Sequence, residues 1–169
     1  MQPSFHEIQK FNKWWHYLIA GIPVLLTGGI ALLTSLNILH SKNGENPLSF
    51  LILPLGFTLL IFIWFVLLRL KTTINAEGIT VQFAGIPFCK RVIGWNDLKS
   101  ISLTTYSPLS DYGGWGVRYS MSGNGWCYNV SGDSGIKIIY KNEKPFLIGT
   151  QQAEEAKKII DHYFKTHSL

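Results

Sequence analysis

Two stretches of the chain, residues 17–39 and 48–68, contain no charged residue. At about 1.5 Å per residue they extend roughly 34 and 31 Å as helices, enough to cross a hydrocarbon core of about 30 Å. Their separation by a short polar connection, residues 40–47 with Asn43-Gly44 as a turn, predicts a transmembrane hairpin occupying residues 17–71. The first stretch exceeds a signal-peptide core and has no small-residue cleavage site after it. Along it, Gly21, Gly28 and Ser35 recur every seven residues, with Ala31 beside them. Such a stripe lets a second helix approach closely, and the covalently adjacent span is the expected neighbour. Pro23 and Pro54 fall early in their spans, where a missing donor costs least.

Ahead of the hairpin, Ser4-Phe5-His6-Glu7 matches a capping box, and Phe5, Ile8, Phe11 and Trp15 recur at helical spacing. Residues 1–16 are therefore expected to be an interfacial helix. Lys10 and Lys13 precede the first span, Arg69 and Lys71 follow the second, and the connection holds only Lys42. The bias of basic residues predicts a multi-pass protein of the cell (inner) membrane with both termini cytoplasmic. Trp14, Trp15, Arg69 and Lys71 are the expected lipid-interface residues, joined by Lys90 and Arg91 further along.

After residue 71 the period changes. Residues 72–75, 79–83, 88–93, 100–105, 115–120, 126–130, 136–140 and 145–149 read as short strands separated by Gly, Pro and Asn turns. From Thr150, a candidate N-cap, Ala153, Ala156, Ile160 and Tyr163 follow a 3.6-residue period with Glu154 and Glu155 in the first turn. The expected architecture is α+β. A two-helix transmembrane hairpin precedes an antiparallel β-roll of about seven strands over residues 72–169, capped by a C-terminal amphipathic helix.

Composition sharpens the class. Apolar residues make up 47% of the 169 and charged residues only 15%, against about a quarter charged in soluble proteins. The net charge of +5 is spread without a basic block, which argues against a nucleic-acid partner. Cys89 and Cys127 lie far apart with no clustered His, so neither a zinc site nor another cofactor is expected, and two free thiols are the simpler state. Gly114-Trp115-Gly116 and Gly123-Asn124-Gly125 each open a GxGxxG pattern that fails at its last position and precedes no helix.

Trp95-Asn96-Asp97-Leu98-Lys99-Ser100-Ile101 resembles the I-x-W-x-D-I-x-x-I stretch of bacterial pleckstrin-homology-like (PH-like) domains. The segment Asp111-Tyr112-Gly113-Gly114-Trp115-Gly116-Val117-Arg118, with Tyr128-Asn129-Val130-Ser131-Gly132 and Ile148-Gly149-Thr150-Gln151, is similar to small bacterial membrane proteins of unknown function. The resemblance covers roughly residues 72–165 and implies a two-sheet roll closed by the last helix; it brings no activity with it.

Tyr112, Trp115, Arg118 and Trp126 form the most unusual cluster. Trp and Arg beside glycines can build a binding surface. The competing reading has the rings filling a small core and Arg118 paired with Asp111. No nucleophile, base and orienting group stand in a recognisable pattern, so an enzyme is disfavoured. The expected function is a membrane-anchored PH-like binding module that regulates or scaffolds an assembly, with the lipid bilayer and a membrane protein or peptide as partners. The alternative is a lipid- or ligand-responsive accessory protein of a transport or envelope-stress system.

Overall fold

A computed structural model describes residues 2–35 and 47–167. The expected inter-helix turn at Asn43-Gly44, and Lys42 with it, lie outside the described residues. The chain is α+β and divides into two compact units, one of residues 11–67 and one of residues 1–10 with 68–169.

The first unit is a pair of helices, α1 (Trp14–Ser35) and α2 (Pro47–Leu67). Helix α1 is long and apolar enough to cross a membrane, and α2 is apolar over Leu51–Leu67. The small-residue stripe faces α2: a Cβ added at Gly21 or Gly28 would meet Phe62 or Leu55 at 3.9 Å. Thr27 Oγ1 lies 3.3 Å from Thr58 Oγ1, a polar clasp between the helices. The outward sides are bare hydrocarbon, with Leu25 71% and Leu53 81% exposed.

The second unit begins with a correction. Residues 5–10 are not an interfacial helix but a strand, β1 (Phe5–Lys10), whose side chains alternate buried and exposed. It pairs antiparallel with β2 (Arg69–Asn75), from Phe5↔Ile74 to Lys10↔Arg69. The strand wins because a ready-made partner edge satisfies its backbone donors and acceptors and buries Phe5, which is 1% exposed. Both helices are thus spliced into the connection between two neighbouring strands. Beyond β2 lie β3 (Gly78–Ala84) and β4 (Lys90–Ile93), completing a sheet in the order β1-β2-β3-β4.

A 3-10 turn, Trp95–Asp97, leads into the second sheet. Trp95 donates from Nε1 to Asn75 O at 3.0 Å and stacks on Tyr163, 5.8 Å between centroids. The second sheet contains β5 (Leu98–Thr105), β6 (Gly116–Tyr119), β7 (Trp126–Asn129), β8 (Ser134–Tyr140) and β9 (Phe146–Gly149), ordered β5-β8-β9-β7-β6. Among the described residues there are nine strands, not about seven. The roll is also not wholly antiparallel, because β7 and β9 run parallel. Gly125 makes that approach: with φ at 73° it lies so close to Pro145 O that a Cβ would collide with the carbonyl.

A five-residue helix, α3 (Pro108–Tyr112), occupies what the sequence suggests is a loop. Ser107 caps its start and Gly113, at φ 70°, its end. The last helix, α4 (Ala153–His167), buries Ala156, Ile160 and Tyr163 as its period predicts. Gln152 O accepts from Ala156 N at 3.0 Å at the start of the helix, and the Thr150 hydroxyl accepts from Gln152 N at 3.1 Å just ahead of it. Thr150 is turned inward to β1. Its hydroxyl donates to Glu7 Oε2 at 2.7 Å, Gln151 N donates to Glu7 Oε1 at 2.8 Å, and Gln9 Nε2 donates to Gly149 O at 2.6 Å. Glu7 is 6% and Gln9 3% exposed. The N-terminal strand is thus fastened to the far end of the chain by a buried polar cluster, and Tyr163 adds a 2.6 Å bond to Pro3 O.

Candidate functional site

Strand alternation and the short helix α3 separate the four residues of the aromatic cluster. Tyr112, at the end of α3, is buried in a core with Tyr106, Cys127 and Leu147. Its ring meets Tyr106 edge-on at 5.9 Å, and its hydroxyl donates to Asn124 O at 3.4 Å. Burial, then the neighbouring Cys127 and Asp111, pushes its phenol up to about 12. Trp115 is half-buried in the turn before β6. Arg118, on the exposed side of β6, folds back to donate from Nε to Trp115 O at 2.8 Å. It does not pair with Asp111, whose Oδ2 accepts from Ser107 N at 2.8 Å at the start of α3.

Trp126 is 39% exposed and meets Tyr119 edge-on at 5.2 Å. Lys144 donates to Tyr119 Oη at 2.7 Å with its ammonium 5.4 Å from that ring's centre. Tyr112 is therefore core, Trp115 and Arg118 brace a turn, and Trp126 belongs to a small exposed patch with Tyr119 and Lys144. One buried polar pair supports the turn from within. Asn129 accepts from Gly116 N at 2.9 Å and donates to Tyr106 Oη at 3.0 Å.

The expected lipid-interface residues also divide. Trp14 is exposed and Trp15 half-buried at the start of α1. Lys71 and Lys90 project from β2 and β4, and Arg69 is half-buried. Arg91 points elsewhere. Its guanidinium lies 5.0 Å over the Phe146 ring and 3.8 Å from Glu143 Oε2, so it ties β4 to the second sheet.

Arg91 also borders the polar cleft that sequence reasoning missed. Val92, Asn96, Asp97, Tyr140, Lys141 and Glu143 complete most of its wall, around a volume of about 380 Å³. Burial raises the Tyr140 phenol above its ordinary range, opposed by its hydrogen bond to Arg91. The wall carries both signs of charge and hydrogen-bonding groups, which suits recognition of a polar, extended ligand. Its residues come from β4, the 3-10 turn and the β8–β9 connection, so no local motif announces it. Among the described residues, no group of three or more His, Cys, Asp or Glu is gathered as a metal ion would require.

The two thiols differ sharply. Cys127 is fully buried and burial drives its thiol upward, whereas Cys89 is half-exposed. In folded protein a water-soluble disulfide reagent is expected to titrate one thiol quickly and the second only after denaturation. Rapid reaction of both in the folded protein would contradict the burial of Cys127. No protein-family model matches the chain, and no curated protein matches it.

Proposed function

We propose that the protein is a membrane-tethered binding module of PH-like type, whose β domain presents the Arg91–Glu143 cleft to a peptide segment of a membrane-protein partner. The observation that carries this reading is the place of the helices, between paired strands. Lys10 and Arg69 are register partners, so the segment between them begins and ends on one side of any bilayer. If α1 crosses, α2 returns. The bare hydrocarbon of both helices supports that course, because an exposed apolar surface of this extent is unfavourable in water.

The cleft favours a peptide because β4 lies at the edge of its sheet and forms one wall. An extended segment could add backbone hydrogen bonds there, while Arg91, Asp97 and Glu143 read its polar side chains. The two ends of the chain are assigned to the cytoplasm by the basic residues around the spans. The alternative reading, a lipid-responsive accessory protein, draws on Lys90, since Arg91 is engaged with Glu143 and Phe146.

A photo-crosslinking residue at Val92, 69% exposed on β4, tests the proposal in native membranes. It is expected to capture one reproducible membrane protein that the same probe at Met121, on the β6–β7 turn, does not. Equal capture from both positions would overturn it. Reporters fused to the two termini are expected to give the same side of the membrane; opposite sides would refute the paired crossing.

A further inference from the structure

The register of the first sheet places one more feature at the end where the helices join. Lys10, Arg69 and Ala84 form a single row across β1, β2 and β3. Ala84 is the last residue of β3, so the β3–β4 turn, residues 85–89, projects from the same end of the sheet as the chain entering α1 and returning from α2. That turn is Gly85-Ile86-Pro87-Phe88-Cys89. Phe83 N donates to Cys89 O at 2.8 Å, and Ile86 N donates to Phe83 O at 3.2 Å, so its base is well defined.

At its tip, Phe88 is fully exposed and has φ 62°. This left-handed conformation suits Gly or Asn and is unusual for a bulky residue. A large apolar ring held there, touching nothing in the fold, contributes neither packing nor backbone ease. The surrounding face is basic. Lys71, Gln82 and Lys90 form the second row inward from that of Lys10 and Arg69, on the same face of the sheet, and Lys10, Lys71 and Lys90 are all exposed. Ile8, 60% exposed, extends that row onto β1.

We infer that the β3–β4 turn is a lipid-contact wedge: Phe88 inserts at the headgroup–acyl boundary while Lys10, Arg69, Lys71 and Lys90 face anionic headgroups. The inference rests on the tethered reading above and deepens it, adding a second point of contact between the β domain and the bilayer. An apolar tip with a cationic collar gains from both burial and electrostatic attraction to an anionic leaflet. The wedge also accounts for a phenylalanine at a position the backbone disfavours.

The test uses the full chain in vesicles of phosphatidylethanolamine and phosphatidylglycerol. Spin labels are placed singly at Phe88→Cys, Leu25→Cys and Met121→Cys, each with Cys89→Ser; buried Cys127 is left in place. Oxygen should relax the label at 88 more than a water-soluble nickel chelate does, as at 25 and unlike 121. A label at 88 as accessible to the chelate as that at 121, with 25 in lipid, overturns the wedge and leaves the tether standing. A label at 25 that is open to the chelate sinks the tether and the wedge with it. Phe88→Asn separates lipid contact from a fold role. It should raise the melting temperature in detergent by relieving the backbone, and a lowered melting temperature would overturn the inference.

Discussion

A chain lacking residues 2–10 is expected to lose its cooperative fold, and residues 72–169 alone are expected to behave as an unfolded or aggregating polypeptide. Strand β1 covers an edge of β2 along six register positions. Phe5 alone, at 1% exposure, is worth about 3–5 kcal/mol against alanine. Deletion also removes Glu7 and Gln9, leaving Thr150 Oγ1, Gln151 N and Gly149 O without the partners they have in the native domain. These losses together rival the whole stability of an ordinary domain, about 5–15 kcal/mol. The exposed edge of β2 would then offer a template for aggregation. Conversely, replacing residues 11–67 with Asn-Gly joins β1 to β2 as a hairpin through a three-residue connection that keeps Leu68. That chain should give a dispersed amide spectrum and a sigmoidal melt. A folded, cooperatively melting 72–169 fragment would show that β1 is dispensable.

Glu7→Ala is expected to be the most costly single substitution in that cluster, at about 2–4 kcal/mol, because it strands one buried and one part-buried donor to a carboxylate at once. The carboxylate accepts at 2.7 Å from Thr150 Oγ1 and at 2.8 Å from Gln151 N. Glu7→Gln keeps one acceptor for Gln151 N, and the Thr150 hydroxyl can rotate to accept from the new amide. Its loss should therefore be smaller, about 1–2 kcal/mol. Denaturant titration of the full chain in detergent measures both. Thr150→Val completes a double-mutant cycle, in which the pair should couple rather than add. Additive losses from Glu7→Ala and Thr150→Val would mean that the two side chains act separately.

The same cluster explains why β1 was hidden from a reading of the sequence. Its inward residues are Phe5, Glu7 and Gln9, so a period of two looks half polar. The competing helical spacing of Phe5, Ile8, Phe11 and Trp15 is wholly apolar. Only the partners at Gly149–Gln151, some 140 positions away, make a buried glutamate and glutamine acceptable. Features decided by local chemistry were legible: the apolar helices, the buried stripe of α4, and the turns that end β3 and β7. Features decided by distant pairing were not. The parallel β7–β9 contact depends on Gly125 meeting Pro145, and the cleft draws its walls from three separate segments. The aromatic cluster divides between core and surface for a related reason. Tyr112 and Trp126 are close in type but lie on a helix end and a strand, which send their rings to core and surface.

The splicing of two apolar helices between β1 and β2 bears on biogenesis under the tethered reading. Strand β1 emerges from the ribosome first but has no mate until the entire segment between Lys10 and Arg69 has been made. A chain whose second helix failed to insert would strand β1 across the bilayer from β2. The sheet could not be completed, Phe5 and Glu7 would find no site, and the defective molecule would stay open to proteolysis. On that reading the β domain would proofread its own anchor, since only a correctly threaded hairpin would close the fold.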